Sequence, residues 1–301
     1  NGLLFTEENE MQIVTDSGTD YPLASNYCQD ERVHIAPLAV QLGTNSFKDG
    51  DEASRDRFYQ ELESSTVLPV TSQPSAGQLA DLYRKLAHQD QDDEILSIHI
   101  SSGLSGTINS AAAAAKMVPE ARVTIVDTKT LSVAAGWQVD AAAHAIQAGW
   151  AKERILALLN RISQSTQTFY TLNELKFLIH GGRISHMKGL IASLLQIKPL
   201  IGVDHEAGNY IQMGQARTFP AAMKSLVNLV FSFNQNRQPL RIQIGHTRNP
   251  QAAEQLQGLL DQEFKCHWLK SGPISFVLGA HTGPSMVGVC FAPQAVFAEV
   301  P

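Results

Sequence analysis

The chain has 301 residues, 44% of them hydrophobic, and a formal net charge of −6 with a pI near 5.9. That is enough apolar material for one large or two modest domains, and the acidic balance argues against nucleic acid or an anionic membrane as main partner. No apolar run approaches the roughly 18 residues of an integral membrane span, the acidic opening NGLLFTEENE has no signal-peptide pattern, and three cysteines without metal-type spacing point to a reducing cytoplasm.

Taken in chain order, the first half alternates between the two hydrophobic periods. MQIVTDS reads as a strand, after which Asp20 can cap a short helix with Pro22 in its first turn. VHIAPLAVQL is a β-type run, and Ser54 can cap RDRFYQELE. Ser75 and Gln78 form an S-x-x-Q capping box ahead of a helix with Leu79, Leu82, Tyr83 and Leu86 on one face. EILSIHI (94–100) is a strand, the alanine run a helix, RVTIVD (122–127) a strand and 132–148 an alanine-rich helix. This β-α-β-α order predicts a parallel sheet covered by helices.

A second unit begins near 166. QTFYTL reads as a strand, ELKFLIHGGRIS as a short helix stopped at Gly181-Gly182, MKGLIASLL as a helix, and IKPLIGVD with NYIQMGQ as a hairpin. Two further helices, FPAAMKSLVNLVFSF and QAAEQLQGLLDQ, alternate with strands RIQIGHT and FKCHWLK. ISFVLGAHTGPSMVGVCFAP offers two β-like pieces around a tight turn holding His281. Hairpin plus crossover predicts a mixed sheet. The fold class expected is α/β, with a parallel-sheet N-terminal domain over 11–165 and a mixed-sheet C-terminal domain over 166–301.

Small polar residues gather in four segments of the first half: TDSGTD (15–20), TSQPS (71–75), SSGLSG (101–106) and DTKT (127–130). In an open parallel sheet the carboxyl ends of the strands line one ligand crevice. Thr71, Ser72, Ser101 and Ser102 can converge there on one small anionic or polar group, while helix capping is the plainer duty of each segment alone. SSGLSGT matches neither a dinucleotide fingerprint nor a P-loop, and Gly103-Leu104-Ser105-Gly106 fails as a nucleophile elbow. His180, His186, His246, His267 and His281 lack ligand-type neighbours, so no metal is expected. Asp16 and Asp127 suit turn or cap duty. Arg183 follows a Gly-Gly turn that lets backbone approach closely; it either caps helix carbonyls or faces a ligand.

Seven motifs in one order, IVTDSGTD, TSQPS, ISSGLSGT, TIVDT, LKFLIHGGRIS, IKPLIG and GAHTGPSMVG, resemble the DegV family of bacterial fatty-acid-binding proteins over nearly the whole chain. The resemblance implies two α/β domains with a long-chain fatty acid between them and no cofactor. Its carboxyl group would be held by the hydroxyls of Thr71 and the Ser101-Ser102 pair, with Ser72 and Gly103 beside them and Arg183 and His281 as further polar positions. It implies a non-catalytic carrier that presents the acid to a separate ATP-dependent fatty acid kinase. The same fold serves the substrate-binding subunit of dihydroxyacetone kinases, which leaves open a small carbonyl compound bound through a histidine adduct, and lipid sensing is a third role. The chain departs from the pattern at Gly18 and at Ser285-Met286 behind His281. Candidates for lining the tail are Ile98, Leu104, Ile108, Ile184, Leu190, Leu194 and Leu278.

Overall fold

The computed structural model describes residues 11–28, 30–50, 52–87, 94–187 and 197–301. In its first half β1 (Gln12–Asp16), β2 (Val33–Ala36), β6 (Glu94–His99) and β7 (Arg122–Asp127) form a parallel sheet in the order β2-β1-β6-β7. The β-type run after residue 32 divides at Pro37, which has no N–H to give to a ladder. Its second part becomes β3 (Ala39–Leu42), which pairs antiparallel with β4 (Asn45–Lys48) and β5 (Val70–Ser72) in a separate three-stranded sheet. Neither β4 nor β5 shows an alternating pattern long enough to read.

The helices of this half are α1 (Tyr21–Ala24), α2 (Glu52–Ser64), α3 (Ala76–Ala87), α4 (Thr107–Met117), α5 (Ser132–Gln147) and α6 (Lys152–Ser165). The capping box of α3 forms as expected, with Gln78 N donating to Ser75 Oγ at 3.2 Å and Ser75 N to Gln78 Oε1 at 2.9 Å. Asp20 makes no cap bond to α1, and Ser54 lies inside α2 instead of ahead of it. The helix α6 has no counterpart in the reading of the sequence.

The second half contributes β8 (Gln167–Thr171), α7 (Lys176–Gly181), β9 (Lys198–Val203), β10 (Tyr210–Ala216), α8 (Phe219–Phe233), β11 (Leu240–His246), α9 (Pro250–Glu263), β12 (Cys266–Trp268), β13 (Gly272–Pro273), α10 (Phe276–Thr282) and β14 (Val287–Pro293). Its mixed sheet runs β10-β9-β8-β14-β11-β12, with β13 also on β11. MKGLIASLL lies largely outside the described residues. ISFVLGAHT, expected as a β-like piece, is the helix α10, because Ser275 caps it by accepting the Val277 N–H.

Side chains alternate faces along a strand, and the apolar clusters follow that alternation. Val14 and Ile95 pack on α3 and α4. Phe169, Ile242 and Val289 pack on α8 and α9. Ile13, Leu96, Tyr170 and Ile201 belong to one central cluster that joins both halves. The layers therefore run helix, parallel sheet, helix, mixed sheet, helix. The middle layer is mainly α5, buried around nearly its whole circumference, which is why it is built of alanine. Trp137 of α5 donates to Gln243 of β11 at 2.7 Å, and Gln243 donates to Leu23 O at 2.9 Å.

Candidate functional site

TDSGTD, SSGLSG and DTKT follow β1, β6 and β7, three neighbours in the parallel sheet, as the periodicity implied. TSQPS does not share that edge: Thr71 and Ser72 are on β5 of the three-stranded sheet. It reaches the serine loop through Gln73, since a Cβ on Gly106 would lie 2.7 Å from Gln73 Nε2.

The serine loop is held from within. Ser101 is fully buried, its N–H bonds Thr130 O at 2.7 Å, and its Oγ accepts the Gly103 N–H at 3.1 Å. Exposed Ser102 donates to both oxygens of Asp127, by N–H at 3.2 Å and by Oγ–H at 2.5 Å. Burial alone would raise the Asp127 carboxyl, but these bonds and those of Lys129 carry it below its ordinary range. From the second half, the turn between β9 and β10 sits on this loop. A Cβ on Gly103 would come within 2.5 Å of Asn209 Oδ1, and one on Gly208 (φ 68°) would strike Ser101 Oγ.

Beneath the loop, Ser97 Oγ, His99 and Asp16 are linked at 2.7 and 3.0 Å, the spacing of a hydrolase triad. All three are fully buried, and Ser97 Oγ is also 2.6 Å from Tyr83 Oη. A nucleophile needs access to substrate, so this set is structural. Asp16 also accepts the N–H groups of Gly18 and Ile100, and the turn duty expected of Asp16 and Asp127 is what both perform. Among the described residues no three His, Cys, Asp or Glu side chains could hold a metal.

His281 is in the last turn of α10, not in the tight turn expected for it. Its Nε2 is 2.8 Å from Thr71 Oγ1, joining the halves across the site. Its other ring nitrogen abuts Gly181, where a Cβ would collide with it. Burial, with the positive charge of Arg183 and the neighbouring His180, pushes the His281 imidazole down to about 3, so it is neutral. Arg183 donates from Nε to Leu104 O at 3.2 Å and from Nη1 to Gly181 O at 2.5 Å. Among the described residues no carboxylate pairs with it.

These groups form the mouth of a cavity. Thr71, Ser72, Gln73, Ser105, Arg183 and His281 supply its polar wall, and Leu104, Leu131, Tyr210 and Leu278 its apolar wall. Four of the seven expected residues thus share one space, while Ser101, Ser102 and Gly103 stand behind the wall. A second, inner cavity, between α5 and the mixed sheet, shares Leu131, Tyr210 and Leu278 with the first and is lined further by Val133, Tyr170, Met286 and Cys290. In each, the space wide enough for water takes only about two or three molecules. Gly245 and Gly288, cross-strand neighbours on β11 and β14, are part of the inner cavity's wall together with the sheet side chains Thr168, Tyr170 and Cys290.

Of the expected tail-lining residues, Leu104 and Leu278 are on the wall. Ile98 and Ile184 are in the central core, Ile108 is half-buried on α4, and Leu190 and Leu194 lie outside the described residues. Gln73, Ser105 and Tyr210 were not among the expected site residues. Ser105 had a visible signal in the crowded hydroxyls of SSGLSG, and Tyr210 had none. A larger open groove beside β2 is lined by polar groups that pair among themselves, such as Arg32 with Asp30 at 2.7 Å.

Fold and site together define an α/β protein with an amphipathic cavity between a parallel and a mixed sheet. A family model described as "Uncharacterised protein, DegV family" matches residues 10–294, and the chain belongs to the DegV family. A DegV domain-containing protein of Deinococcus radiodurans is 34% identical over 284 residues, covering 94% of this chain and 96% of its own. One of Staphylococcus aureus strain N315 is 31% identical over 277 residues, covering 92% and 96%. Among solved structures, a DegV family protein from Thermus thermophilus, described by its fatty acid binding, superposes with a TM-score of 0.83 at 28% identity, covering 95% of this chain and all (100%) of that one. The fatty acid binding DegV family protein of Streptococcus agalactiae gives 0.85 at 26% identity, covering 94% and 99%. Among the described residues no helix is long and apolar enough to cross a membrane.

Proposed function

We propose that this protein binds a long-chain fatty acid with its carboxylate at Thr71, Ser72, His281 and Arg183 and its tail in the inner cavity, and presents the carboxylate to a separate ATP-dependent fatty acid kinase. One observation carries the reading: a polar mouth runs into an apolar cavity through the shared residues Leu131, Tyr210 and Leu278. Burying an acyl chain there contributes about 0.8 kcal/mol per CH₂, and the cavity walls must part to admit it, because the space between them takes only about two or three waters. Arg183, which has only carbonyl partners among the described residues, supplies the charge the carboxylate lacks. Neutral hydroxyl and imidazole groups orient the acid without neutralising it, which leaves its oxygen able to attack a phosphoryl group. Ser101 accepts from Gly103 and fixes the loop from within. Ser102 and Gly103 shape the loop behind it.

On this reading residues 11–165 and 166–301 are two domains with the ligand between them, and the protein works in the cytoplasm, where Cys28, Cys266 and Cys290 stay as free thiols. The chain has no phosphate-binding loop with its lysine, so it is a carrier and the kinase the catalyst. A histidine adduct with a small carbonyl compound is disfavoured because one ring nitrogen of His281 bonds Thr71 and the other abuts Gly181. Organic extraction of natively purified protein followed by mass spectrometry tests the reading. A stoichiometric fatty acid of about 14–18 carbons, long enough to reach the inner cavity, is expected. A small polar carbonyl compound in its place overturns it.

A further inference from the structure

A second polar cluster is built around the opposite end of the helix that carries His281. Asp20 closes the turn after β1 with left-handed backbone (φ 50°), and Ser132, the first residue of α5, is left-handed too (φ 53°). The two meet: Ser132 Oγ lies 2.5 Å from Asp20 Oδ2. Asp20 Oδ1 accepts the Ser275 N–H at 2.6 Å, and Ser275 Oγ–H donates to Asp49 Oδ2. Ser275 also caps α10 through the Val277 N–H at 3.2 Å. Both ends of α10 are therefore held by side chains of the first half, the N-terminal end by two carboxyl groups and the C-terminal end by Thr71. Between them Leu278 touches both cavities, and Ser132 and Ile274 line the inner one.

Asp20 and Asp49 are each only 7% exposed. The charged or titratable groups facing them are Arg55 and Tyr59 of α2, with His246 of β11 and Arg248 after it lying beyond those two. Among the described residues Arg55 Nε and Tyr59 Oη have no hydrogen-bond partner. Two carboxyl groups thus face one nearby guanidinium. With both ionised, the cluster holds an uncompensated negative charge away from water; with one proton between them it is balanced, and the Ser132 hydroxyl turns to accept from the protonated acid.

We propose that Asp20 and Asp49 are positioning residues of the ligand site, a carboxyl pair that seats the N-terminus of α10 and holds Leu278 and His281 closed on a bound fatty acid while the pair keeps one proton. The inference rests on the fatty-acid reading above. Burial, reinforced by the charge of Asp49, carries Asp20 up to about 8 against the opposing Ser132 bond, and burial raises Asp49 as well. The folded chain therefore keeps a proton that the unfolded chain releases near an ordinary carboxyl value. The proton's contribution to the seat is complete only below the ordinary carboxyl range, falls as pH rises above it, and is lost once pH passes about 8.

Asp20→Asn keeps an acceptor for Ser275 and offers Ser132 an N–H where the proton was; Asp49→Asn does the same for the other member and serves if the first variant fails to fold. Each is compared with the wild type at about pH 6.5 and about pH 9, on either side of the transition. Two quantities are read: release of radiolabelled palmitate to phosphatidylcholine vesicles, and hydrogen-exchange protection of the peptide covering 275–282, corrected for intrinsic exchange. The wild type is expected to release palmitate about fivefold faster, and to protect α10 correspondingly less, at the higher pH, while an Asn variant changes less than about twofold. The ligand ionises identically in all three proteins, so equal pH ratios in wild type and variants overturn the proposal, as does a wild type insensitive to pH. A wild type that retains no palmitate counts against the fatty-acid reading instead, and the protection of α10, which needs no ligand, then decides this one.

Discussion

Arg183 is a cation whose described partners are all carbonyl oxygens, and on the proposed reading its charge is left for the carboxylate of the fatty acid. A charge-assisted hydrogen bond to a bound carboxylate is worth about 1.5–3 kcal/mol. Arg183→Ala should therefore raise the dissociation constant for palmitate roughly 10- to 100-fold by that estimate, measured by displacement of a fluorescent fatty acid. Arg183→Lys should recover part of the loss, because an ammonium restores charge but not the fork. Unchanged affinity in the alanine variant would remove Arg183 from the head-group site. The motifs made Thr71, Ser72, Arg183 and His281 legible, because hydroxyl, guanidinium and imidazole groups stand out in tight, glycine-marked stretches. They did not reveal that Ser101 and Ser102 spend their hydrogen bonds on Gly103 and Asp127, since a serine looks the same whether it faces a ligand or its own loop.

At the scale of elements, α10 is the piece whose identity mattered most and was misread. Its Phe, Val and Leu suit a strand; Ser275 caps it locally through the Val277 N–H, but the carboxyl groups that seat that cap come from more than two hundred positions away. The helix places Leu278 at the junction of the two cavities. Enlarging it should separate chain lengths: Leu278→Trp is expected to weaken palmitate binding at least tenfold, about 1.4 kcal/mol, while octanoate, which stops short of the junction, loses much less. The same displacement assay reads both. Equal losses would mean that the tail takes another route. Ser75–Gln78, by contrast, acts locally and was legible as a cap, whereas Pro37 divides a β-type run that the sequence reading kept whole.

For the whole molecule, the parallel sheet could be anticipated from alternating β and α periods, but the order of the mixed sheet could not. β8 lies beside β14, more than a hundred residues later in the chain, and no local pattern encodes such a pairing. Nor did the sequence expose that α5 is shared, packing against both sheets from the middle of the stack. Because one apolar cluster joins the two halves, neither can be unfolded without stripping the other, and calorimetry of the ligand-free protein should give a single transition with equal calorimetric and van't Hoff enthalpies. Two resolved transitions would show that the halves are independent. The cavity wall has a related property. Leu131 and Val133 come from one half, and Tyr210, Leu278 and Gly288 from the other, so the pocket is a fit between surfaces and belongs to neither. A chimera joining one half of this chain to the complementary half of a relative 34% identical to it would therefore set against each other two walls that were never fitted together.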